Sequence, residues 1–434
     1  MQTLNLGESN DENAEEVKNS QPEDEREDLC KGAWPGMNKR TLRDLEVSGR
    51  TVLVRADFNV PIEEGADRIG EYDHRLRVTV PTINYLLERN AKVVLCSHLG
   101  RPRGKAVETL RMRPIAQRLS TLLGRPVTAL EDCVGPGVQT ALAGMGEGDV
   151  VLLENLRFYA GEEKNDPAFA RELAAPADLF VLDAFGAAHR AHASIVGVTA
   201  HLPSAAGLLL EREADMIGGA LESPERPLAA VLGGAKVSDK IRILENLLGR
   251  VNALYIGGGM AATFLKAQGK GVGESLVEEE LVDFAGDLMG RAGGDGVAFN
   301  LPVDVVVASE FAEAPREVRT VRVDQVPEGY RILDIGLDTV AGFREGLGAS
   351  KTVIWNGPMG VFEFERFAAG PRGVVAAVAE LDAVTIIGGG STAEAVESLG
   401  LGAKMTHVSS GGGAMLEFLE GRELPGIVAL PDRG

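Results

Sequence analysis

AVTIIGGGST (383–392) opens with five apolar or β-branched residues and then breaks into three glycines and two hydroxyls. A run that short, stopped by glycines, reads as a strand feeding a tight turn into the next element. The same design recurs in AAVLGGAK (229–236), ALYIGGGMA (253–261), KTVIWNGPMG (351–360) and MTHVSSGGGA (405–414). In the first half, TVLVRADFN (51–59), KVVLCSHLGR (92–101), VVLLENLRF (150–158) and LFVLDAFGAAHR (179–190) end instead in charged and polar side chains. Amphipathic stretches separate these runs, and that alternation predicts βαβ units around parallel sheets with helices on both faces.

The expected fold class is therefore α/β, with two doubly wound parallel-sheet, Rossmann-like domains joined by a hinge helix. The length of 434 residues suits two such domains. Residues 1–36 are acidic and poor in large apolar side chains, which predicts a solvated tail without fixed structure, and Met37 offers an alternative start. The reading then places a first domain at 37–203, an interdomain helix at 204–221, a second domain at 222–415 and an extended C-terminal tail at 416–434, packing back near the hinge.

Composition excludes several function classes. Hydrophobic residues at 44% and charged residues at 25% are ordinary for a packed globular chain. No apolar run reaches the roughly 18 to 20 residues that cross a bilayer, and the acidic start lacks the pattern of a secretory leader, so a cytoplasmic location is expected. Three cysteines, Cys30, Cys96 and Cys133, form no Cys-x-x-Cys pair. A formal net charge of −20 argues against nucleic acid and anionic membranes as partners. A monomer acting on small molecules is expected, and any anion has to be held by local charge.

Open parallel sheets bind ligands beyond the carboxyl ends of their strands. In the first half those ends carry Arg and His, suited to gripping carboxylate and phosphate. In the second half they carry bare glycine backbone before helices, at Gly257, Gly388 and Gly411, where N–H groups and helix dipoles favour phosphates. Neither G-x-x-x-x-G-K-[ST] nor a complete G-x-G-x-x-G fingerprint occurs, which argues against P-loop kinases and dinucleotide dehydrogenases.

Taken together, RADFNVP (55–61), SHLGRP (97–102), ENLRF (154–158), DAFGAAHRAHAS (183–194), LGGAKVSDKI (232–241), IGGGMA (256–261), WNGPMGVFE (355–363) and HVSSGGGA (407–414) resemble the phosphoglycerate kinases, in that family's order. The resemblance implies a bilobed, hinge-bending enzyme of glycolysis and gluconeogenesis that moves the acyl phosphate of 1,3-bisphosphoglycerate to Mg-ADP, yielding 3-phosphoglycerate and ATP. It implies that Asp57 and Asn59 hold the glycerate, with Arg75, His98, Arg101, Arg157 and Arg190 around its carboxylate and phosphate. It assigns catalysis to Arg75, Lys236, Gly390 and Gly413. For the nucleotide it implies Lys236, Lys240, Ile332, Asn356, Glu363, Gly388, Gly389, Gly390, Ser391 and Thr392. His189 and His192 are expected to donate hydrogen bonds rather than to carry a phosphoryl group, since direct transfer needs no protein nucleophile.

Two departures stand out. Ser391 occupies the position where the family usually places a metal-binding Asp, so Mg²⁺ is expected to lean on the nucleotide's own phosphates, with Ser391 as its protein contact. In YRILDIGL (330–337) the family commonly shows Trp and a small residue, so Ile332 is expected to narrow the adenine pocket. The rival reading is a metabolite-binding protein that kept the fold and lost turnover.

Overall fold

The computed structural model describes residues 38–61 and 73–434. The acidic stretch expected to be unstructured, 1–36, lies outside the described residues. Strands β1 (Thr51–Ala56), β2 (Lys92–Cys96), β3 (Thr128–Ala129), β4 (Val150–Leu152), β5 (Leu179–Asp183) and β6 (Ser204–Ala206) form one sheet. Its order is β3-β4-β2-β1-β5-β6, and every pairing is parallel. Alternation along β1 divides its apolar side chains between two cores. Val52 and Val54 pack with Ile83, Leu86 and Ile115, while Leu53 joins Val94, Phe180 and Leu182 on the opposite face.

The second half contains β7 (Leu228–Leu232), β8 (Ala253–Ile256), β9 (Ala298–Asn300), β10 (Asp304–Ala308), β11 (Val318–Arg322), β12 (Arg331–Ile335), β13 (Thr352–Asn356), β14 (Val384–Gly388) and β15 (His407–Val408). Six of these make a parallel sheet in the order β15-β14-β13-β7-β8-β9. The other three form an antiparallel sheet, β11-β10-β12, with a register shift between Val306 and Val307. Two mainly parallel sheets with helices match the expected α/β class. The small antiparallel sheet and the edge strands β3, β6 and β9 are additions that the glycine-terminated runs did not announce.

The connecting helix α1 spans Leu208–Glu222, four residues later than the expected start at Ser204. Ser204–Ala206 is claimed by the sheet, where it pairs with Phe180–Leu182 of β5. The helix is capped from a distance. Its Leu209 N–H donates to Asp183 Oδ1 at 2.9 Å, and Leu208 N–H donates to Thr82 Oγ1 at 3.1 Å. A side chain at Gly207 would run into the Asp183 carboxylate, so the corner between β6 and α1 has to be bare. Two further helices shape the site: α2 (Gly390–Ser398) and α3 (Gly412–Leu419).

Beyond α3 the chain is not wholly extended as expected, because Pro425–Val428 makes a helical turn. It then returns to the first half. Gly426 N–H donates to Ala188 O at 2.8 Å, Arg40 N–H donates to Pro431 O at 2.9 Å, and Lys39 bridges Asp432. Among the described residues, no helix is long and apolar enough to cross a membrane.

Asp215 sits half-buried on α1, one turn beyond Glu211. Burial, and then the Glu211 charge, push its carboxyl from an ordinary 3.8 up to about 7, with Arg43 opposing. A carboxyl raised by folding favours the native state while protonated, so its contribution is full below about pH 4 and is lost as pH climbs toward 7. Asp215→Asn is expected to raise Tm over the parent at about pH 8 and to leave it unchanged near pH 4. Thermal unfolding across that range checks this, and an equal shift at both ends refutes it.

Candidate active site

The parallel order places the ends of β4, β2, β1 and β5 side by side, and each delivers part of one cationic edge. Asp57 and Asn59 follow β1, His98 and Arg101 follow β2, Arg157 follows β4, and Arg190 follows β5. Arg75 comes from the short helix His74–Arg77 and pairs with Asp57. Buried amides hold these loops in place. Asn59 Oδ1 accepts Gly100 N–H at 2.8 Å, and Asn155 clasps Leu99 through both its amide oxygen and its amide nitrogen. Arg157 N–H donates to the same Asn155 oxygen at 3.1 Å, while its Nη1 donates to Gly100 O at 2.7 Å.

Electrostatics at this edge are set by burial and mutual repulsion. Arg157 is 5% exposed. Burial, and then the Arg190 charge, bring its guanidinium down to about 10, so it stays charged at neutral pH. His98 is 3% exposed, and burial together with Arg55, Arg157 and Arg190 drives its pKa well below the usual imidazole value despite Asp57. The imidazole is therefore neutral. Burial tends to raise the Asp57 carboxyl, but the Arg75 and Arg55 charges outweigh it and hold it below its ordinary range. Arg101 is exposed, and its charge acts on Arg190. Glu163, 3.2 Å from Arg157, and Asp57 offset part of this charge, and an anion arriving here relieves the repulsion that remains.

The second edge is built from backbone. Asn356 ends β13 in register with Gly388 at the end of β14. Its Oδ1 accepts the Lys240 ammonium, and its Nδ2 is buried without a hydrogen-bond partner. Burial lowers Lys240 to about 8. Lys236, by contrast, is exposed on the turn beyond β7, where its charge acts on Glu278. Thr392 is fully buried, and its Oγ1 accepts Gly357 N–H at 2.9 Å, so it braces the neighbouring turn. Gly389 has φ +93°, a conformation that strains any L side chain. Space above Gly390 is open, and Ser391 lies half-exposed beside it.

The starts of α2 and α3 meet, since a Cβ on Gly412 would lie 3.5 Å from Gly390 N. Their N–H groups and dipoles thus share one location. Gly257–Gly259 behaves differently. Added Cβ atoms there would strike Met359, Gly234 and Ala235, so this triplet serves close backbone packing. Glu363 is exposed, two residues past Val361, whose N–H reaches Leu333 O beside Ile332. Ile332 is 7% exposed and packs with Ala262, Leu265, Val272 and Val305.

The two edges touch. A Cβ on Gly186 would lie 2.6 Å from Asp57 Oδ2 and 3.3 Å from Ser410 O, and one on Gly413 would meet His189 Nε2 at 3.4 Å. Glu213 of α1, fully buried, fixes the turn ahead of α3. It accepts Ser410 N–H and Oγ–H at 2.7 Å each and contacts His407 Nε2 at 2.7 Å. Glu213 and Arg55 were absent from the sequence reading. The signal available for Arg55 was a charge inside the otherwise apolar run TVLVR.

Among the described residues, no group of His, Cys, Asp and Glu could hold a metal ion. The oxygen donor left open beside α2 is the Ser391 hydroxyl, which fits a Mg²⁺ carried in by nucleotide phosphates rather than one held by a protein cage.

A cationic edge facing paired, glycine-opened helix starts is the build of a phosphotransferase acting on a small acid. The family model for phosphoglycerate kinase matches residues 42–422. Phosphoglycerate kinase of Moorella thermoacetica is 55% identical over 92% of this chain and 100% of its own length, and that of Pelotomaculum thermopropionicum gives the same figures. The structure of phosphoglycerate kinase from Coxiella burnetii superposes with a TM-score of 0.80 at 40% identity, covering 90% of this chain and 98% of that one. The chain belongs to the phosphoglycerate kinase family.

Thr392→Val keeps the shape of the side chain but leaves the buried Gly357 N–H without its acceptor. It is expected to cost about 1–3 kcal/mol in urea unfolding. A loss below about 0.5 kcal/mol would show that the turn does not depend on this bond.

Proposed function

We propose that this chain transfers the acyl phosphate of 1,3-bisphosphoglycerate reversibly to Mg-ADP, giving 3-phosphoglycerate and ATP, as a cytoplasmic monomer. The observation that carries the reading is the close approach of Asp57 and His189, on the edge that also carries Arg157, Arg190 and His98, to the turn that opens α3, at Gly186, Gly411 and Gly413. Asp57 and Asn59 hold the glycerate, Arg75, Arg101, Arg157 and Arg190 neutralise its carboxylate and phosphate, and the neutral His98 stands among them as a hydrogen-bond donor. Residues 37–203 thus form the acid-binding domain and 222–415 the nucleotide domain, with α1 as the hinge between them.

On the nucleotide side, Lys240 and Asn356 sit at the phosphates with Gly389, while Thr392 braces the turn from behind and Gly388 packs against Met415 rather than facing a ligand. Glu363 takes the ribose, and Ile332 backs the adenine from the apolar cluster. The β-phosphate oxygen of ADP attacks in line. It is already ionised at neutral pH, so no general base is required. Arg75, Lys236 and the N–H groups of Gly390 and Gly413 stabilise charge on the transferring group's equatorial oxygens. When bound, Mg²⁺ neutralises charge on the nucleotide's phosphates, and Ser391 meets it directly or through water. Closure about α1 excludes water that would otherwise hydrolyse the acyl phosphate.

Coupled measurement of ATP formation from 1,3-bisphosphoglycerate and ADP tests the reading, and no turnover would leave only a binding protein of this fold. Arg75→Ala is expected to lower kcat by roughly 10² to 10³ with little change in substrate binding. An unchanged kcat removes Arg75 from the transition state. Ser391→Asp is expected to tighten Mg-ADP binding and lower the Mg²⁺ concentration needed for half-maximal rate. An unaltered Mg²⁺ dependence shows that this position does not meet the metal.

A further inference from the structure

Beneath the cationic edge runs a line of buried polar groups that the transfer step itself does not use. It begins at Glu162, fully buried in the short helix Ala160–Glu163. The Glu162 carboxylate accepts Ser194 N–H at 2.9 Å and Ser194 Oγ–H at 2.6 Å. Ser194 Oγ accepts Arg55 Nε–H at 2.8 Å, and Arg55 Nη2 lies 3.1 Å from His98 Nδ1. His192 Nδ1 lies 3.6 Å from the same carboxylate.

The donor inventory leaves this line one hydrogen arrangement. Ionised Glu162 only accepts, so the single Ser194 hydroxyl proton points at it and the oxygen's lone pair is turned toward Arg55. A guanidinium only donates, so His98 Nδ1 has to be the acceptor and carry no proton. The proton of the neutral imidazole is therefore on Nε2. Burial would tend to neutralise Glu162, but His192, Arg55 and Ser194 outweigh it and keep the carboxyl below its ordinary range. Arg55, 1% exposed, is held at Nη1 by the Ala56 carbonyl, and Ser194 is the partner that fixes its Nε side and so the angle at which Nη2 meets His98.

We propose that Glu162 and Ser194 are positioning residues for the acid-binding edge: through the Ser194 hydroxyl they lock Arg55, and Arg55 in turn fixes His98 as the Nε2–H tautomer that presents a donor to the bound anion. This rests on the acid site assigned above. Neither residue touches substrate, and their effect is confined to one edge.

Selective ¹⁵N labelling of histidine tests the tautomer directly, because the chain has six histidines and His98→Gln identifies the signal. Native protein is expected to show His98 with a pyridine-type Nδ1 and a pyrrole-type Nε2. Ser194→Ala should mix the two forms and raise KM for 3-phosphoglycerate about tenfold, leaving KM for ATP within about twofold. Ser194→Cys, close in volume and a weak acceptor, gives the same readouts if the alanine variant does not fold. An unmoved His98 signal, or equal rises in both KM values, overturns the proposal. Absence of turnover in the native protein would instead overturn the assigned reaction, and the tautomer signal would still report on the relay.

Discussion

Repulsion among arginines at the carboxyl edge of the first sheet is the constraint on which the rest depends. Arg55, Arg157 and Arg190 each lower the charge stability of their neighbours, and Asp57, just past β1, and Glu163, paired with Arg157, are acids that oppose them. Such a cluster is tolerable because its members are tied individually: Arg157 to Gly100 O, Arg75 to Asp57, Arg55 to Ser194. Their orientations are thereby fixed before any anion arrives, and cations fixed in advance cost little reorganisation at the moment of reaction.

The second edge solves the opposite problem. On the proposed assignment nucleotide phosphates bring their own charge to it, so what is needed is close access to N–H groups, and glycine provides it. Glu213 links the two solutions. It belongs to the connecting helix, yet its carboxylate holds the Ser410 turn and His407, and the burial that would neutralise it is outweighed by those partners. About one turn nearer its start the same helix is capped by Asp183, the last residue of β5. Displacement of α1 is therefore transmitted to both edges through hydrogen bonds rather than through loose chain.

Much of this was legible in the sequence, for a reason that also sets the limit. Runs such as KVVLC and TVIWN are buried on both faces, so their composition alone marks them, and the polar residues that end them fall at the site by topology. Short or half-exposed strands carry no such mark. β3 has two residues, β11 reads Val-Arg-Thr-Val-Arg, and Ser204–Ala206 resembles a helix start until its pairing with β5 is seen. Arg157 and Arg190 could be picked out by type and place and Arg75 only through the family resemblance, whereas the roles of Thr392 and Gly257 could not be read at all. Whether a hydroxyl braces a turn or meets a ligand, and whether a glycine opens space or fills it, depends on neighbours distant in the chain.

Gly186 and Gly411 meet where the two edges approach most closely, and a single methyl on either would collide with Asp57, Phe185 or the opposing backbone. Separation of the two edges is thus set by hydrogen atoms rather than by side chains. A β-carbon on Gly411 would press on the Gly186 backbone as well as on the Phe185 ring, so trimming that ring alone would not restore the room.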